Sequence, residues 1–159
     1  MTTPEGRTVV YIDGFNLYYL ALKGTPFKWL DLAALADHVL GRRHNVVRVR
    51  YFTARILPTP ADPIAPQRQQ VCLDAVAADP RVTIHLGQFK PRTKQGMITR
   101  PMSLAGRMAT ISTFEEKGSD VNMAVWAMAD AYEGRADTVV LVTNDSDLAE
   151  PANLLRATC

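Results

Sequence analysis

The 159-residue sequence has few cysteines and no long apolar run. Its two cysteines are too few for the disulfide framework that supports small secreted domains. No apolar run approaches the roughly 18 residues of a membrane-spanning helix. Residues 1–7 contain no apolar core of a signal peptide. These absences predict a protein of the reducing cytoplasm with no membrane partner.

A strong charge of one sign is also missing. The chain has 18 Lys and Arg against 16 Asp and Glu, and the net charge of +2 is too small to indicate a nucleic-acid partner alone. The three histidines show no metal-ligand spacing, and there is no repeat or low-complexity tract. An apolar content of 47% is that of an ordinary globular protein, so we expect one domain over residues 1–159.

Four apolar segments with strand character alternate with helical patterns. The predicted strands are Thr8–Ile12, Val46–Thr53, Val82–Leu86 and Thr138–Thr143. The predicted helices are Asn16–Lys23, a helix capped by Asp31 and closed by Gly41, Gln67–Ala78, a helix capped by Ser119 and running to Tyr132, and Leu148–Arg156. The alternation predicts an α/β fold, a Rossmann-like three-layer α/β/α sandwich. Its mostly parallel sheet has the strand order 3-2-1-4.

Two segments lie outside this alternation. The proline-rich stretch Pro58–Pro66 is expected to be an exposed loop. The stretch Gly87–Phe114 has an irregular pattern, and a loop this long is usually functional or mobile. Within it, Met97-Ile98 and Thr110–Ser112 could be short strands that pair as a hairpin. The stretch has no acidic residue and carries five cations: Lys90, Arg92, Lys94, Arg100 and Arg107. In the second strand, Arg48 and Arg50 alternate with apolar residues, which predicts a solvated face.

Acidic residues stand where the predicted central strands end. Asp13 ends the first strand, and Asp145 and Asp147 follow the fourth. Ligands of open α/β sheets bind at the carboxyl ends of the strands, beside the switch point between the first and fourth strands. Asp120 begins the helix before the fourth strand, and the excursion Gly87–Phe114 can return the chain to the same edge. We therefore infer that four carboxylates meet.

Like charges this close require protonation or a cation. Because no histidine or cysteine cluster accompanies them, the oxygen ligands predict Mg²⁺ or Mn²⁺ rather than zinc. Such a site can clamp a phosphate and activate water. The cations of the Gly87–Phe114 stretch would then contact phosphates around it.

Three segments carry a resemblance to a known family. They are Tyr11–Leu17 (YIDGFNL), Lys117–Val121 (KGSDV) and Val142–Leu148 (VTNDSDL). In order and approximate spacing they resemble the NYN domain family, a branch of the PIN-like nuclease fold. The resemblance implies a metal-dependent ribonuclease. It implies acids around the metal at Asp13, Asp120, Asp145 and often Asp147, with Asn16 as the conserved asparagine that braces them.

The chain departs from the family pattern in three places. Trp126 stands where many relatives have another aspartate, and Asn144 stands where glycine is common. The chain also ends soon after the final predicted helix, where the family usually adds a strand. We therefore expect the fourth strand to have an exposed outer edge, which a truncated chain, or a second copy or partner protein covering the edge, would explain.

The resulting hypothesis is a Mg²⁺- or Mn²⁺-dependent endoribonuclease, with the cations listed above along the RNA path. One alternative is a non-catalytic RNA-binding or protein-interaction module of the same fold. A haloacid-dehalogenase-type phosphatase is disfavoured because Phe15 stands where its second aspartate is needed. The acids also have plain interpretations as helix caps or first-turn residues. Tyr18 and Tyr19 are expected in the core rather than as base-stacking platforms.

Overall fold

The computed structural model describes residues 6–104 and 106–158, and it contains a five-stranded mixed sheet. The strands are β1 (Arg7–Asp13), β2 (Asn45–Ala54), β3 (Val82–Met97), β4 (Met108–Lys117) and β5 (Thr138–Val142). The helices are α1 (Gly14–Leu17, continued by a π-helical segment over Tyr18–Leu22), α2 (Leu32–Leu40), α3 (Ala65–Val76), α4 (Ser119–Tyr132) and α5 (Ala149–Thr158). The predicted α/β class is confirmed.

The strand order is β4-β3-β2-β1-β5, which corrects the predicted order 3-2-1-4. The first and last predicted strands do pair in parallel, from Thr8 with Thr138 to Ile12 with Val142. β2 pairs in parallel with both β1 and β3. The difference is one additional strand, β4, which lies antiparallel to β3 at the edge of the sheet.

The prediction of a long irregular stretch over Gly87–Phe114 is wrong, whereas the hairpin considered within it is present and is longer than the two segments Met97-Ile98 and Thr110–Ser112. β3 continues for 16 residues to Met97, and β4 pairs with it from Met97–Met108 back to Gln88–Lys117. The two strands form a ribbon that extends past the parallel strands, and most of its side chains are exposed. A ribbon with no fully buried face has no apolar alternation in its sequence, so the pattern indicated only two short segments of it.

The core has two halves, one on each face of β1. Val9 and Tyr11 pack in a cluster with Met123 and Ala127 of α4, whereas Val10 and Ile12 pack with α2 on the other face. Because both faces are covered, β1 reads as a continuous apolar run. Among the described helices, none has the length and apolar character needed to cross a bilayer.

The prediction that Arg50 lies on a solvated face is wrong, whereas Arg48 is exposed. Arg50 is 3% exposed and forms an ion pair with Asp130 of α4. The pairing of β1 with β2 shifts register between Thr8 and Val9, so that Val47 is an extra residue in the ladder. The shift breaks the simple alternation from which the solvated face was inferred.

Candidate active site

An open cleft of about 320 Å³ lies at the carboxyl edge of the parallel strands. Four carboxylate residues line it together with Asn16 and Ser119: Asp13, Glu116, Asp120 and Asp145. Three aromatic rings complete the lining: Phe15, Tyr19 and Phe89. The cleft therefore combines negative charge with an aromatic wall.

Asp13 is held at the end of β1 by donors from two elements. It is 3% exposed, and its Oδ1 accepts a hydrogen bond from the backbone N–H of Asn16 at 3.0 Å. Its Oδ2 accepts from the Asn16 side-chain amide and from Thr143 Oγ1, the latter at 3.2 Å. The two hydrogen bonds from Asn16 to Asp13 are the contacts that the predicted bracing role of Asn16 requires. A buried carboxylate needs such donors to remain in place.

Gly14 allows the chain to turn directly behind Asp13. A Cβ atom at this position would lie 2.7 Å from the Tyr51 hydroxyl and 2.8 Å from the Phe52 carbonyl oxygen. Only glycine lets β1 pass this close to β2 before α1 begins. The tight approach places the N-terminus of α1 beside the carboxylate.

Asp145 follows β5 and faces Asp13 across Thr143. Its backbone N–H donates to Thr143 Oγ1 at 3.1 Å, and its Oδ1 accepts from the backbone N–H of Asp147 at 2.9 Å. Asp147 itself is exposed and does not line the cleft. The structure thus brings Asp145 to the predicted site, while the Asp147 side chain lies outside it.

Asp120 is the second residue of α4. Since β4 runs back to Lys117 beside Gln88, α4 begins at the edge of the sheet where Asp13 lies. Burial, and after it the negative charges of Asp145, Asp13 and Glu116, together raise the pKa of the Asp120 carboxyl from its ordinary 3.8 to about 6. Asp120 and Asp145 both line the cleft, and their like charges repel each other.

Glu116 lines the cleft but was missed by sequence reasoning. Its Oε1 accepts from Ser119 Oγ at 2.8 Å and from the Ser119 backbone N–H at 3.3 Å. The prediction that Ser119 is the N-cap is wrong, because Ser119 is the first residue of α4 and the N-cap is Gly118 at φ +102°. The only sequence signal was the position of Glu116, one residue before the Lys117–Val121 segment.

Gly87 of β3 lies directly against the Glu116 carboxylate. A Cβ atom at Gly87 would overlap Glu116 Oε1 and lie 2.9 Å from the Lys117 carbonyl oxygen. Because glycine has no Cβ atom, the start of α4 can pack closely against the sheet at Gly87.

The hairpin cations lie apart from the cleft lining. Side chains alternate along a strand, so Lys90, Arg92 and Lys94 project from the face of β3 opposite to Phe89. Arg92 Nη1 lies 2.6 Å from Glu115 Oε2, and Lys94 pairs with the same carboxylate. These hydrogen bonds lower the pKa of Glu115 to about 2.

Arg100 and Arg107 are exposed near the tip of the hairpin. Neither guanidinium forms an ion pair within the part of the chain that the structure describes. They are therefore available to an anionic partner, although they stand far along the ribbon from Asp13.

Trp126 lies on α4 away from the cleft. The Arg50 guanidinium stands 4.1 Å from its ring centroid, and the His85 ring is 5.1 Å away. The departure from the family pattern at this position therefore contributes to the buried Arg50–Asp130 network. Trp126 itself is not among the residues that line the cleft.

The donor chemistry of the cleft suits a hard divalent cation, because all of its charged ligands are carboxylate oxygens. Within residues 6–104 and 106–158, no three acidic, histidine or cysteine side chains already stand in a metal-holding group. Among the nearby carboxylates, the charge of Asp145 raises the pKa of Asp120 most, so repulsion is strong where a cation would relieve it.

An α/β fold with an acidic cleft at the carboxyl edge of its parallel strands is the arrangement of a nuclease-like domain. The NYN domain profile matches residues 7–158, and the chain belongs to the NYN domain family. NYN and PIN-like nucleases typically use divalent metals, and the family is associated with RNA as substrate. The predicted family is thereby confirmed.

Two known proteins resemble the chain. One is 6-hydroxy-3-succinoylpyridine 3-monooxygenase HspA from Pseudomonas putida (strain DSM 28022 / S16), 33% identical over 95% of this chain. The chain spans 56% of that relative's length. The other is the crystal structure of a protein of unknown function from Vibrio parahaemolyticus RIMD 2210633. Its TM-score is 0.53 at 19% identity, with 99% of this chain and 78% of that chain covered, and it supports the fold alone.

Proposed function

We propose that the chain is a metal-dependent endoribonuclease that hydrolyses RNA phosphodiester bonds at the acidic cleft. The observation that carries the proposal is the meeting of Asp13, Asp120 and Asp145, which come from three separate elements. Structural requirements alone do not explain three carboxylates in one cleft, because they repel each other. Membership in the NYN family adds the reaction class.

Asp13, Asp120 and Asp145 are the residues that would hold Mg²⁺ or Mn²⁺, with Glu116 as a further carboxylate beside them. A cation held there would offset the repulsion among these carboxylates. When bound, such a cation supplies Lewis-acid stabilisation of phosphoryl charge and lowers the pKa of a water.

The remaining residues of the site act by positioning. Asn16 and Thr143 donate to Asp13 and hold its carboxylate at the cleft. The backbone N–H of Asp147 orients the Asp145 carboxylate, and we retain for the Asp147 side chain the role of a ligand or of a group that orients the attacking water. Lys90, Arg92, Lys94, Arg100 and Arg107 are proposed to contact RNA beyond the cleft.

The proposal is tested by RNA cleavage with Mn²⁺, with Mg²⁺ and with EDTA. Asp145→Asn should reduce kcat by at least about a hundredfold, because loss of a charged metal ligand weakens transition-state stabilisation. Asp137→Asn is the matched control, since Asp137 lies in an exposed ion pair with Arg7. Its cleavage rate should equal that of the unaltered protein.

Cleavage that persists in EDTA and in Asp145→Asn would contradict the metal mechanism. If the unaltered protein and Asp145→Asn bind RNA equally, in a salt-dependent manner and without cleaving it, the non-catalytic RNA-binding module is favoured instead. Binding and cleavage are measured with the same labelled RNA and the same protein preparations, so the two outcomes can be compared directly.

A second candidate is oxygenation of a hydroxypyridine, and the 33% identity to HspA favours it. The substrate in that protein's name is an aromatic ring, and the cleft of this chain has an aromatic wall. The discriminating assay incubates the chain with 6-hydroxy-3-succinoylpyridine, O₂ and a reduced nicotinamide. The ribonuclease proposal predicts no consumption of the pyridine, whereas oxygen-dependent consumption would favour the monooxygenase.

A further inference from the structure

Three aromatic rings form one wall of the acidic cleft. The ring of Phe15 packs edge-on against Phe89 at a centroid distance of 5.7 Å and lies nearly parallel to Tyr19 at 6.3 Å. The rings come from α1, its π-helical continuation and β3. All three residues share the cleft lining with Asp13 and Asp120.

Tyr19 is the ring that remains most open to a ligand. It is 56% exposed, which corrects the expectation that Tyr19 lies in the core. Burying an aromatic ring is favourable. A ligand with a planar group would therefore gain binding energy by covering the exposed face of this aromatic cluster.

A cation stands beside this ring. Lys23 Nζ lies over Tyr19 at 4.9 Å from the ring centroid, and the Lys23 side chain is exposed. An entering planar group can displace this flexible side chain from the ring. The freed ammonium is then placed to meet a phosphate oxygen, so the wall offers both a stacking surface and a positive charge.

We propose that Phe15, Tyr19 and Phe89 form a subsite that stacks one unpaired nucleobase of single-stranded RNA, with Lys23 contacting the adjacent phosphate. The proposal rests on the ribonuclease function and specifies its substrate. The cleft volume of about 320 Å³ is near the lower end of the roughly 300–1,000 Å³ typical of small-molecule pockets. A space of this size is enough for one planar group such as a nucleobase.

The subsite selects against paired RNA for a physical reason. Bases in a duplex are already stacked on each other, and their faces are reachable only after unpairing. A single strand presents its bases freely, and stacking on an aromatic side chain tolerates any base. The expected specificity is therefore for unpaired RNA without strong sequence preference.

The test compares cleavage of a short single-stranded RNA with cleavage of the same strand annealed to its complement. The unaltered protein should cleave the single strand about tenfold faster. Tyr19→Ala should raise KM for the single strand about five- to tenfold with little change in kcat, because stacking contributes to binding before and during the reaction. Tyr19→Trp should restore KM.

The matched control is Tyr132→Ala, because Tyr132 is 94% exposed and lies at the far end of α4 from Asp120. Its KM should be unchanged. Equal KM values for Tyr19→Ala and Tyr132→Ala, or equal cleavage of duplex and single strand by the unaltered protein, would overturn the subsite.

Failure of the ribonuclease proposal is distinguishable. If the unaltered protein cleaves neither RNA, binding of the same labelled strands is measured in Mn²⁺. A five- to tenfold loss of single-strand affinity in Tyr19→Ala alone would keep the subsite. No binding by the unaltered protein, or equal affinities in both variants, would overturn it.

Discussion

The buried pair of Arg50 and Asp130 fastens α4 to the centre of the sheet. Arg50 Nε and Nη2 donate to the two Asp130 carboxylate oxygens at 2.7 and 2.9 Å. The Tyr11 hydroxyl donates to Asp130 Oδ2 at 2.5 Å, and Arg135 Nε donates to Oδ1 at 2.6 Å. Because Asp120 lies at the other end of α4, this network also sets where that carboxylate enters the cleft.

Asp130→Asn should lower the free energy of unfolding at neutral pH by about 3–5 kcal/mol, because it leaves Arg50 buried without its countercharge. Burial by itself raises the pKa of the Asp130 carboxyl, but hydrogen bonds from Arg50, Tyr11 and Arg135 outweigh it and hold the pKa at about 2. Urea unfolding at a series of pH values measures the effect.

The pH dependence has a definite sign. The folded pKa of Asp130 lies below its ordinary 3.8, so the stabilisation is present above about pH 4 and is lost as the pH falls toward 2. Asp130→Asn should flatten this part of the stability curve. Asp137→Asn, which breaks an exposed pair, should cost much less. Equal losses in the two variants would contradict the structural role of Asp130.

At the scale of elements, the β3–β4 hairpin does two things for the site. It returns the chain to the carboxyl edge of the sheet, so that α4 begins beside Asp13. It also separates its side chains by face, with Phe89 and Glu116 on the cleft side and Lys90 and Glu115 on the other. The acidic cleft and the cationic surface therefore lie on opposite faces of the hairpin.

This separation predicts that the tip cations matter for long RNA only. Arg100→Gln with Arg107→Gln should weaken binding of a long single-stranded RNA and reduce the salt slope of its affinity by about 1.4, because two fewer phosphates are neutralised at about 0.7 each. A short RNA that fills only the cleft should bind as before. Filter binding over a range of salt concentrations measures both.

The control for the tip variant is Arg42→Gln with Arg43→Gln, which removes the same charge from the exposed turn Gly41–Arg43 ahead of β2. This control should leave long-RNA binding unchanged. If it weakens binding as much as the tip variant, net charge rather than the hairpin determines the affinity.

At the scale of the whole molecule, the sequence was most informative where a strand is covered on both faces. Thr8–Ile12 and Thr138–Thr143 read as continuous apolar runs, and the acids at their ends indicated Asp13 and Asp145. The hairpin was predicted only as two short segments, because a ribbon without a fully buried face carries no periodic signal that would give its full length. Arg50 was misplaced because the register shift at Val47 cannot be read from alternation.

Contacts between distant segments were the other limit of the sequence. Glu116 joins the cleft through Ser119, and Tyr19 and Phe89 meet around Phe15, although these residues belong to separate motifs or to none. In the described residues β5 is an edge strand that pairs with β1. A second copy or a partner protein at that edge stays a prediction.

The central claim is that Asp13, Asp120 and Asp145 converge on one divalent cation. Anomalous diffraction from crystals grown with Mn²⁺ tests it most directly, because the signal reports the ion and its ligands together. We predict a manganese peak in the cleft within bonding distance of oxygens from these three carboxylates. A cleft without a peak at saturating Mn²⁺, or a peak held by other residues alone, would contradict the claim.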